Sequence, residues 1–171
     1  MAWTVPPTWS AGVKDQPTLT DFNQLLRDNL NYLLGGRDIA YKEYLGADKT
    51  TTTTASFTAV DTTNFRLTSG TINSGRYIVF CSAEWGVTTL NNKIYADMYV
   101  DATTRANNGD STNGIISWNN PNQNSDRLVM LAYFTGLTVA THTFDLYWKV
   151  SAGTGSIFTS VAKMQMLGME V

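Results

Sequence analysis

Few side chains in this sequence of 171 residues are of the types that carry catalysis. The single histidine, His142, lies between two threonines at the start of a predicted strand. A nucleophilic site there would need a hydroxyl or thiol and an orienting acid within hydrogen-bond reach. The single cysteine, Cys81, lies in the middle of an apolar segment, where a thiol is normally an inert small hydrophobe. One thiol and one imidazole do not make a metal site, so we expect no enzyme, no metal and no cofactor.

The carboxylates give no stronger signal for acid–base chemistry. Asp97 and Asp101 share one face of a predicted strand, but four residues of strand separate them by about 13 Å, outside the range of paired glycosidase carboxylates. Asp110 follows Asn107-Asn108-Gly109, which is typical of a turn and lacks the spacing of a calcium loop. No glycine stands at the spacing of a phosphate-binding loop. A depolymerase is therefore disfavoured.

Two polar segments could bind a ligand, one at 105–110 and the other at 118–126. The second joins the indole of Trp118 to a run of amides, a combination that can stack on a sugar and hydrogen-bond to it. The alternative is a solvated loop with Trp118 packed into the fold. The candidate ligand residues are Arg105, Asn107, Asp110, Trp118, Asn120 and Asn122.

Composition limits the partners. The chain has 15% charged residues, 43% hydrophobic residues and a net charge of −2, which excludes intrinsic disorder. The lysines and arginines are scattered singly and form no stripe that could follow phosphates, so no nucleic acid is expected. No stretch approaches the roughly 18 apolar residues of a membrane span, so no membrane insertion is expected either.

The amino-terminal part is predicted to contain two elements. Residues 1–17 form an extended arm, because Pro6 and Pro7 fix the backbone and remove two donors. The arm is too short to bury its large apolar side chains by itself, so it should lie on a partner surface, a sister subunit or its own domain. The predicted attachment residues are Trp3, Val5, Pro6, Pro7 and Trp9.

Residues 18–36 are predicted to form one amphipathic α-helix that stops at Gly35-Gly36. The heptad positions of this helix, proposed as a trimer interface, are Leu19, Phe22, Leu26, Asn29 and Leu33. The alternative is a helix that packs on its own sheet. A helix of this length is marginal alone in water, so either arrangement supplies the partner that it needs.

Residues 37–54 are predicted to be a linker, and residues 55–171 a mainly β head of about eight strands, a jelly-roll sandwich. The predicted strands are 56–60, 64–68, 76–87, 93–101, 114–118, 127–134, 141–151 and 156–171, the last of them broken once. Two segments, 77–81 and 128–134, are apolar on both faces. In a β-sandwich, one face of each strand normally contacts solvent. Strands that are apolar on both faces therefore indicate that another subunit buries the outer face of their sheet.

Two segments carry a resemblance to known proteins. Thr8-Trp9-Ser10-Ala11-Gly12-Val13, followed by the helix with Asn23-Gln24-Leu25-Leu26-Arg27-Asp28-Asn29, resembles the opening of small tailed-phage virion proteins. The head resembles the trimeric jelly rolls of the tumour necrosis factor and complement globular-head superfamily. This second resemblance is carried by Phe65-Arg66-Leu67, by Gly75 to Phe80, by Thr141 to Leu146 and by Gln165 to Val171.

The resemblance implies a homotrimeric structural protein of a bacteriophage virion, either a capsid decoration (cement) protein or a head fibre. Its expected partners are two further copies of itself and a major capsid or tail protein. It would be made in the host cytoplasm and located on the virion. The alternative is a receptor- or carbohydrate-binding tip of a phage fibre, with a host surface glycan as its ligand.

Overall fold

The computed structural model describes residues 36–89, 91–119 and 125–171, and all regular secondary structure in these ranges is β-strand. The strands are β1 (Ile39–Tyr44), β2 (Lys49–Thr51), β3 (Thr58–Ala59), β4 (Arg66–Ile72), β5 (Arg76–Val87), β6 (Lys93–Val100), β7 (Thr104–Arg105), β8 (Ile116–Asn119), β9 (Asp126–Thr135), β10 (Ala140–Val150), β11 (Gly155–Ile157) and β12 (Met164–Glu170). The predicted arm and nearly all of the predicted helix lie outside the described residues. Within the described ranges, no helix has the length and apolarity needed to cross a membrane.

The first sheet is built around the long strand β5. One edge of β5 pairs with β12 and β11, and its other edge pairs with β9. Strand β1 then pairs with β12, and β2 pairs with β11. Because β11 and β12 lie along the same edge of β5, the sheet is four strands wide in the order β1–β12–β5–β9. All of these pairs are antiparallel.

The second sheet is built around β10 and β6, which pair with each other over seven registered positions. The free edge of β10 pairs with β3 and β4, and the free edge of β6 pairs with β7 and β8. Along the chain, the main strands fall in the first sheet (β1, β5, β9, β12) or the second sheet (β4, β6, β8, β10). This exchange between two antiparallel sheets is a jelly-roll-like arrangement.

Strand alternation places the core between the sheets. In β10, Phe144, Leu146, Trp148 and Val150 are all buried on the inner face. The ring of Tyr77 in β5 stacks on Phe144 with 4.7 Å between the centroids, which joins the two sheets. Gly168 in β12 permits this contact, because a Cβ there would come within 2.5 Å of the Tyr77 ring and 2.6 Å of a Leu67 methyl group.

The sequence correctly predicted a mainly β protein with two antiparallel sheets, but the start of the head needs a correction. The segment predicted as a linker, 37–54, contains β1 and β2, and both belong to the first sheet. The compact unit begins at Asp38 rather than at residue 55. The described residues hold twelve strands instead of about eight, since short strands were missed; the predicted break in the last segment lies between β11 and β12.

Candidate assembly surface

The outer face of the first sheet is apolar and open to solvent. Its side chains come from alternate positions of the strands β1, β12, β5 and β9. We call this set the apolar face; its members are Ile39, Tyr41, Ile78, Phe80, Val129, Leu131, Tyr133, Leu167 and Met169. Phe80 is 44% exposed, Val129 60% and Leu167 44%. An exposed apolar patch of about a few hundred Å² is often a functional surface.

The register of the sheet sets these side chains in rows. Tyr41 lies opposite Leu167, Leu167 lies opposite Phe80, and Phe80 lies opposite Leu131. The neighbouring row runs in the same way through Ile39, Met169, Ile78 and Tyr133. Directly opposed side chains on adjacent strands are in contact range, so each row is a continuous apolar ridge across the sheet.

A shallow depression lies beside the central row, and polar groups border it. Its lining includes Tyr41, Phe80, Val129 and Leu167. At the border, Gln165 donates a hydrogen bond to the hydroxyl of Tyr41, and that hydroxyl donates to Glu43. An apolar centre with a polar rim is the usual anatomy of a protein–protein interface.

Cys81, the single cysteine, borders this depression from the core side of the sheet. Its side chain is 1% exposed and belongs to the core. Burial raises the pKa of the thiol to about 12. The nucleophilic thiolate is therefore scarce at neutral pH, in agreement with an unreactive core residue.

The outer face of the second sheet is different, since buried charged groups occupy it. Asp97 of β6 is fully buried and forms an ion pair with Arg105 of β7, with 2.5 Å between Oδ2 and Nε. The guanidinium of Arg105 also donates to the hydroxyl of Tyr99 and lies over the Tyr99 and Phe57 rings. Because desolvation outweighs the attraction of Arg105 and the hydrogen bond from Met98 N–H, the pKa of Asp97 rises to about 6.

A second buried ion pair and an enclosed lysine complete this face. Arg66 of β4 binds Asp145 of β10 through two nitrogen–oxygen contacts of 2.8 and 2.7 Å. Lys149 is 8% exposed, and its ammonium group lies over the rings of Phe57 and Tyr95. Each of these charges lies beside an opposite charge or an aromatic ring of the same chain, which is typical of a structural cluster. Asp97 Oδ2 and Arg105 Nε are in contact as an ion pair but not in hydrogen-bond alignment.

His142 is held by acceptors on both ring nitrogens. Nδ1 lies 2.7 Å from Asp101 Oδ2, and Nε2 lies 3.0 Å from the carbonyl oxygen of Thr138. Burial disfavours the imidazolium, but these two partners outweigh it and raise the pKa of His142. The hydroxyl of Ser69 bonds to the backbone of His142 and not to its ring, and the Thr138 hydroxyl lies 3.5 Å from Nε2, farther than the Thr138 carbonyl oxygen.

The structure separates the two carboxylates that the sequence placed on one strand face. Asp97 is buried beneath Arg105, whereas Asp101 follows the end of β6 and binds His142. Among the residues described, no three His, Cys, Asp or Glu side chains are grouped closely enough to hold a metal ion.

The described residues of the predicted ligand loops have partners within the chain. Arg105 binds Asp97, Asn107 binds the backbone of β9, and Asp110 accepts hydrogen bonds from Thr112 N–H and Asn113 N–H. Trp118 is half-buried against the core, beside the exposed residues Ser117 and Asn119. Asn120 and Asn122 lie outside the described residues, so the ligand loop stays a prediction.

The other predicted site residues also fall outside the described ranges. These are the attachment residues Trp3, Val5, Pro6, Pro7 and Trp9, and the helix positions Leu19, Phe22, Leu26, Asn29 and Leu33. Sequence reasoning identified the apolar segments of β5 and β9 but missed Ile39, Tyr41, Leu167 and Met169. The alternation of Ile39, Tyr41 and Glu43 along β1 was the available signal.

No family model and no curated protein matches the chain. Solved structures match at low similarity. The C-terminal CBM6 of LamC, a marine laminarinase from Zobellia galactanivorans, is 14% identical, with 75% of this chain and 98% of that chain covered and a TM-score of 0.31. The CBM22-1 xylan-binding domain from Paenibacillus barcinonensis Xyn10C is 10% identical, with coverages of 77% and 86% and a TM-score of 0.35. A structure of infectious bursal disease virus, Gx strain, is 7% identical, with coverages of 77% and 36% and a TM-score of 0.33. At this level of similarity, function has to be argued from the chain itself.

Proposed function

We propose that this chain is a non-enzymatic structural protein of a tailed-bacteriophage virion. In this proposal it is a homotrimeric capsid decoration or head-fibre protein, and its amino-terminal arm attaches it to a major capsid or tail protein. The observation that carries the proposal is the apolar face, whose exposed rows of side chains need a protein partner.

The size of the apolar face favours self-assembly that uses more than this face. Four strands about 4.8 Å apart, with two full rows of apolar residues and Val129 in a third, cover on the order of 300 Å². A stable interface buries roughly 800 Å² on each partner, so surfaces beyond the face must contribute. Around a threefold axis the face of one copy is covered by two neighbours, and other parts of the chain add contact area.

The location on a virion is supported by the amino-terminal sequence. The segments Thr8–Val13 and Asn23–Asn29 resemble the openings of small phage virion proteins. The segment 1–17, predicted to be an arm, carries Trp3 and Trp9, large apolar side chains that gain roughly 2 kcal/mol or more each when a partner buries them. Several symmetric copies of the arm would multiply the strength of attachment.

Light scattering on the full chain tests self-assembly. We expect a mass three times the 18.9 kDa of one copy. Leu167→Lys, in the middle of the apolar face, should shift the mass toward that of one copy, because a buried ammonium group opposes association. Val139→Lys is the matched control, since Val139 is 68% exposed and lies outside the first sheet. A wild-type monomer, or equal masses for wild type and Leu167→Lys, would refute assembly through this face.

Deletion of residues 1–17 tests attachment separately. The shortened protein should keep the same number of copies per oligomer as the full chain but fail to copurify with the particle. The full chain should copurify in the same experiment. Copurification of the deletion variant at the wild-type level would contradict attachment through the arm.

A carbohydrate-binding tip is the second candidate function, and the surroundings of Trp118 favour it. Trp118 lies on the short strand β8 opposite Ile94 of β6 and is only partly buried, so part of its indole is accessible to a ligand. Trp118→Ala should abolish binding in a glycan or cell-surface assay while the fold is retained. Absence of binding by the wild-type protein would remove this candidate and leave the structural role.

A further inference from the structure

The outer edge of β9 is occupied by a short segment of the same chain. Asn107 N–H donates to the carbonyl of Tyr133 over 2.7 Å, and Asn107 Oδ1 accepts from Thr135 N–H over 2.8 Å. Asn108 Oδ1 accepts from Tyr133 N–H over 3.0 Å, and its Nδ2 donates to the carbonyl of Leu131 over 2.7 Å. These two residues therefore supply the hydrogen bonds that a neighbouring strand would make.

An unprotected sheet edge attracts further strands, because its backbone donors and acceptors are unpaired. The other edge of β9 pairs with β5 along its whole length. Segment 106–109, which we call the edge guard, therefore prevents the first sheet from growing beyond β9. The side-chain amides of asparagine suit this position because each offers both a donor and an acceptor.

Contacts with β6 hold the edge guard in place. Ala106 N–H donates to the carbonyl of Met98, and the preceding Arg105 is held by the buried Asp97. Gly109 packs against the same pair, so a side chain at this position would collide with Asp97. The Arg105–Asp97 ion pair thus acts as a positioning device for Asn107 and Asn108.

The edge guard covers only the second half of β9. Alternation in the antiparallel ladder directs the backbone groups of Val129 to the same edge as those of Leu131 and Tyr133. No described residue makes a hydrogen bond to the outward N–H or carbonyl of Val129. An incoming strand can therefore begin pairing at Val129 and extend if the guard leaves.

We propose that the edge of β9 is a second association surface of this protein, that its partner is β9 of a second copy, and that Asn107 and Asn108 keep it closed. A second copy fits because two β9 strands can pair antiparallel about a twofold axis, each presenting the same edge. The pairing also joins two apolar faces into one surface, since Val129, Leu131 and Tyr133 belong to both the edge strand and the face. While the edge guard covers β9, this protein forms oligomers of fixed size. Without the edge guard, these oligomers would join one another through β9.

The double variant Asn107→Ala/Asn108→Ala, made in the full chain, tests this inference. We expect light scattering to show twice the wild-type mass or more, whatever that mass is, so the result does not depend on a threefold assembly. Amide hydrogen exchange at Tyr133 and Thr135 should become at least about tenfold faster under dilute conditions, where pairing is absent. The matched control is Thr112→Ala/Asn113→Ala, which removes two exposed polar side chains from the same connection without touching β9.

Two further variants separate edge pairing from other causes. The single variant Asn108→Ala loses the acceptor for Tyr133 N–H and the donor to Leu131 without adding a charge, and it should raise the mass in the same direction if the double variant does not fold. Adding Val129→Pro to the double variant removes an outward N–H and should return the mass to that of Val129→Pro alone. The proposal is wrong if both guard variants have the wild-type mass and the wild-type exchange rates. It is also wrong if the control variant changes the mass equally, or if the larger mass persists after Val129→Pro is added.

Discussion

Glu170 and Asp38 are joined by two reciprocal hydrogen bonds where the sandwich begins and ends. The N–H of Asp38 donates to the Glu170 carboxylate over 3.2 Å, and the N–H of Glu170 donates to the Asp38 carbonyl over 2.9 Å. The same carboxylate, 2% exposed, also accepts from Asn73 N–H and Ser74 N–H. It thereby connects the start of β1, the end of β12 and the turn before β5.

Glu170→Gln should destabilise the protein by roughly 2 to 3 kcal/mol, because an amide has one acceptor oxygen and faces buried N–H groups with its own donor. Desolvation raises the pKa of Glu170, but hydrogen bonds from Ser74, Asp38 and Asn73 lower it more. Its stabilisation is therefore present above the ordinary pKa of 4.5 and is lost as the pH falls through the lowered folded value. Urea unfolding at pH 7 and pH 4 checks both effects; an unchanged midpoint at pH 7 would contradict the role of Glu170.

Asp97→Asn should reduce the pH dependence of stability between pH 4 and pH 7. Because the folded pKa of Asp97 is raised from 3.8 to about 6, the folded protein holds an extra proton in this range. This group alone makes the protein more stable as the pH falls, by up to about 3 kcal/mol. Urea unfolding at pH 5 and pH 7 should show a smaller difference for the variant than for wild type. Asp126→Asn, which removes an exposed carboxyl on β9 of the other sheet, is the control and should keep the wild-type difference.

His142→Gln should remove a stabilisation that disappears in wild type at alkaline pH. The folded pKa of His142 is raised above 6.5, so its contribution is complete below pH 6.5 and declines as the pH rises through the folded value. We expect the wild-type protein to lose on the order of 1 kcal/mol between pH 6 and pH 8, and the variant to lose less. Asp101→Asn should behave like His142→Gln, since it removes the other half of the same ion pair; an unaltered pH profile in both variants would exclude this assignment.

Gly168→Ala should lower the free energy of unfolding by about 1 to 3 kcal/mol, because the added methyl group would push into the Tyr77 ring and Leu67 in a packed core. Thermal unfolding is the measurement. Gly136→Asn is the comparison, since a Cβ at Gly136 meets no atom within 4 Å and asparagine accepts its φ of +70° better than most residues. Equal stability of Gly168→Ala and wild type would show that the inner face has room to relax.

The local pattern of the sequence was sufficient to predict the long strands of the head but not the short ones. The predicted strand 141–151 was confirmed as β10, and the segments apolar on both faces became parts of β5 and β9. These two strands are adjacent, so their outward residues form half of the apolar face. The linker prediction for 37–54 failed because β1 and β2 are short and half-exposed, and their pairing with β12 and β11 is visible only in three dimensions.

The candidate ligand residues show the limit of sequence reasoning most clearly. Asn107 and Arg105 have the chemistry of a binding loop, but tertiary contacts use them to close the edge of β9 and to pair with Asp97. The sequence by itself determined the class of fold and the presence of more apolar surface than one sheet can hide, because strand alternation and hydrophobicity are local properties. Only the tertiary structure decided which side chains form the apolar face and which polar groups satisfy each other, because those partners are distant along the chain and meet through strand order and register.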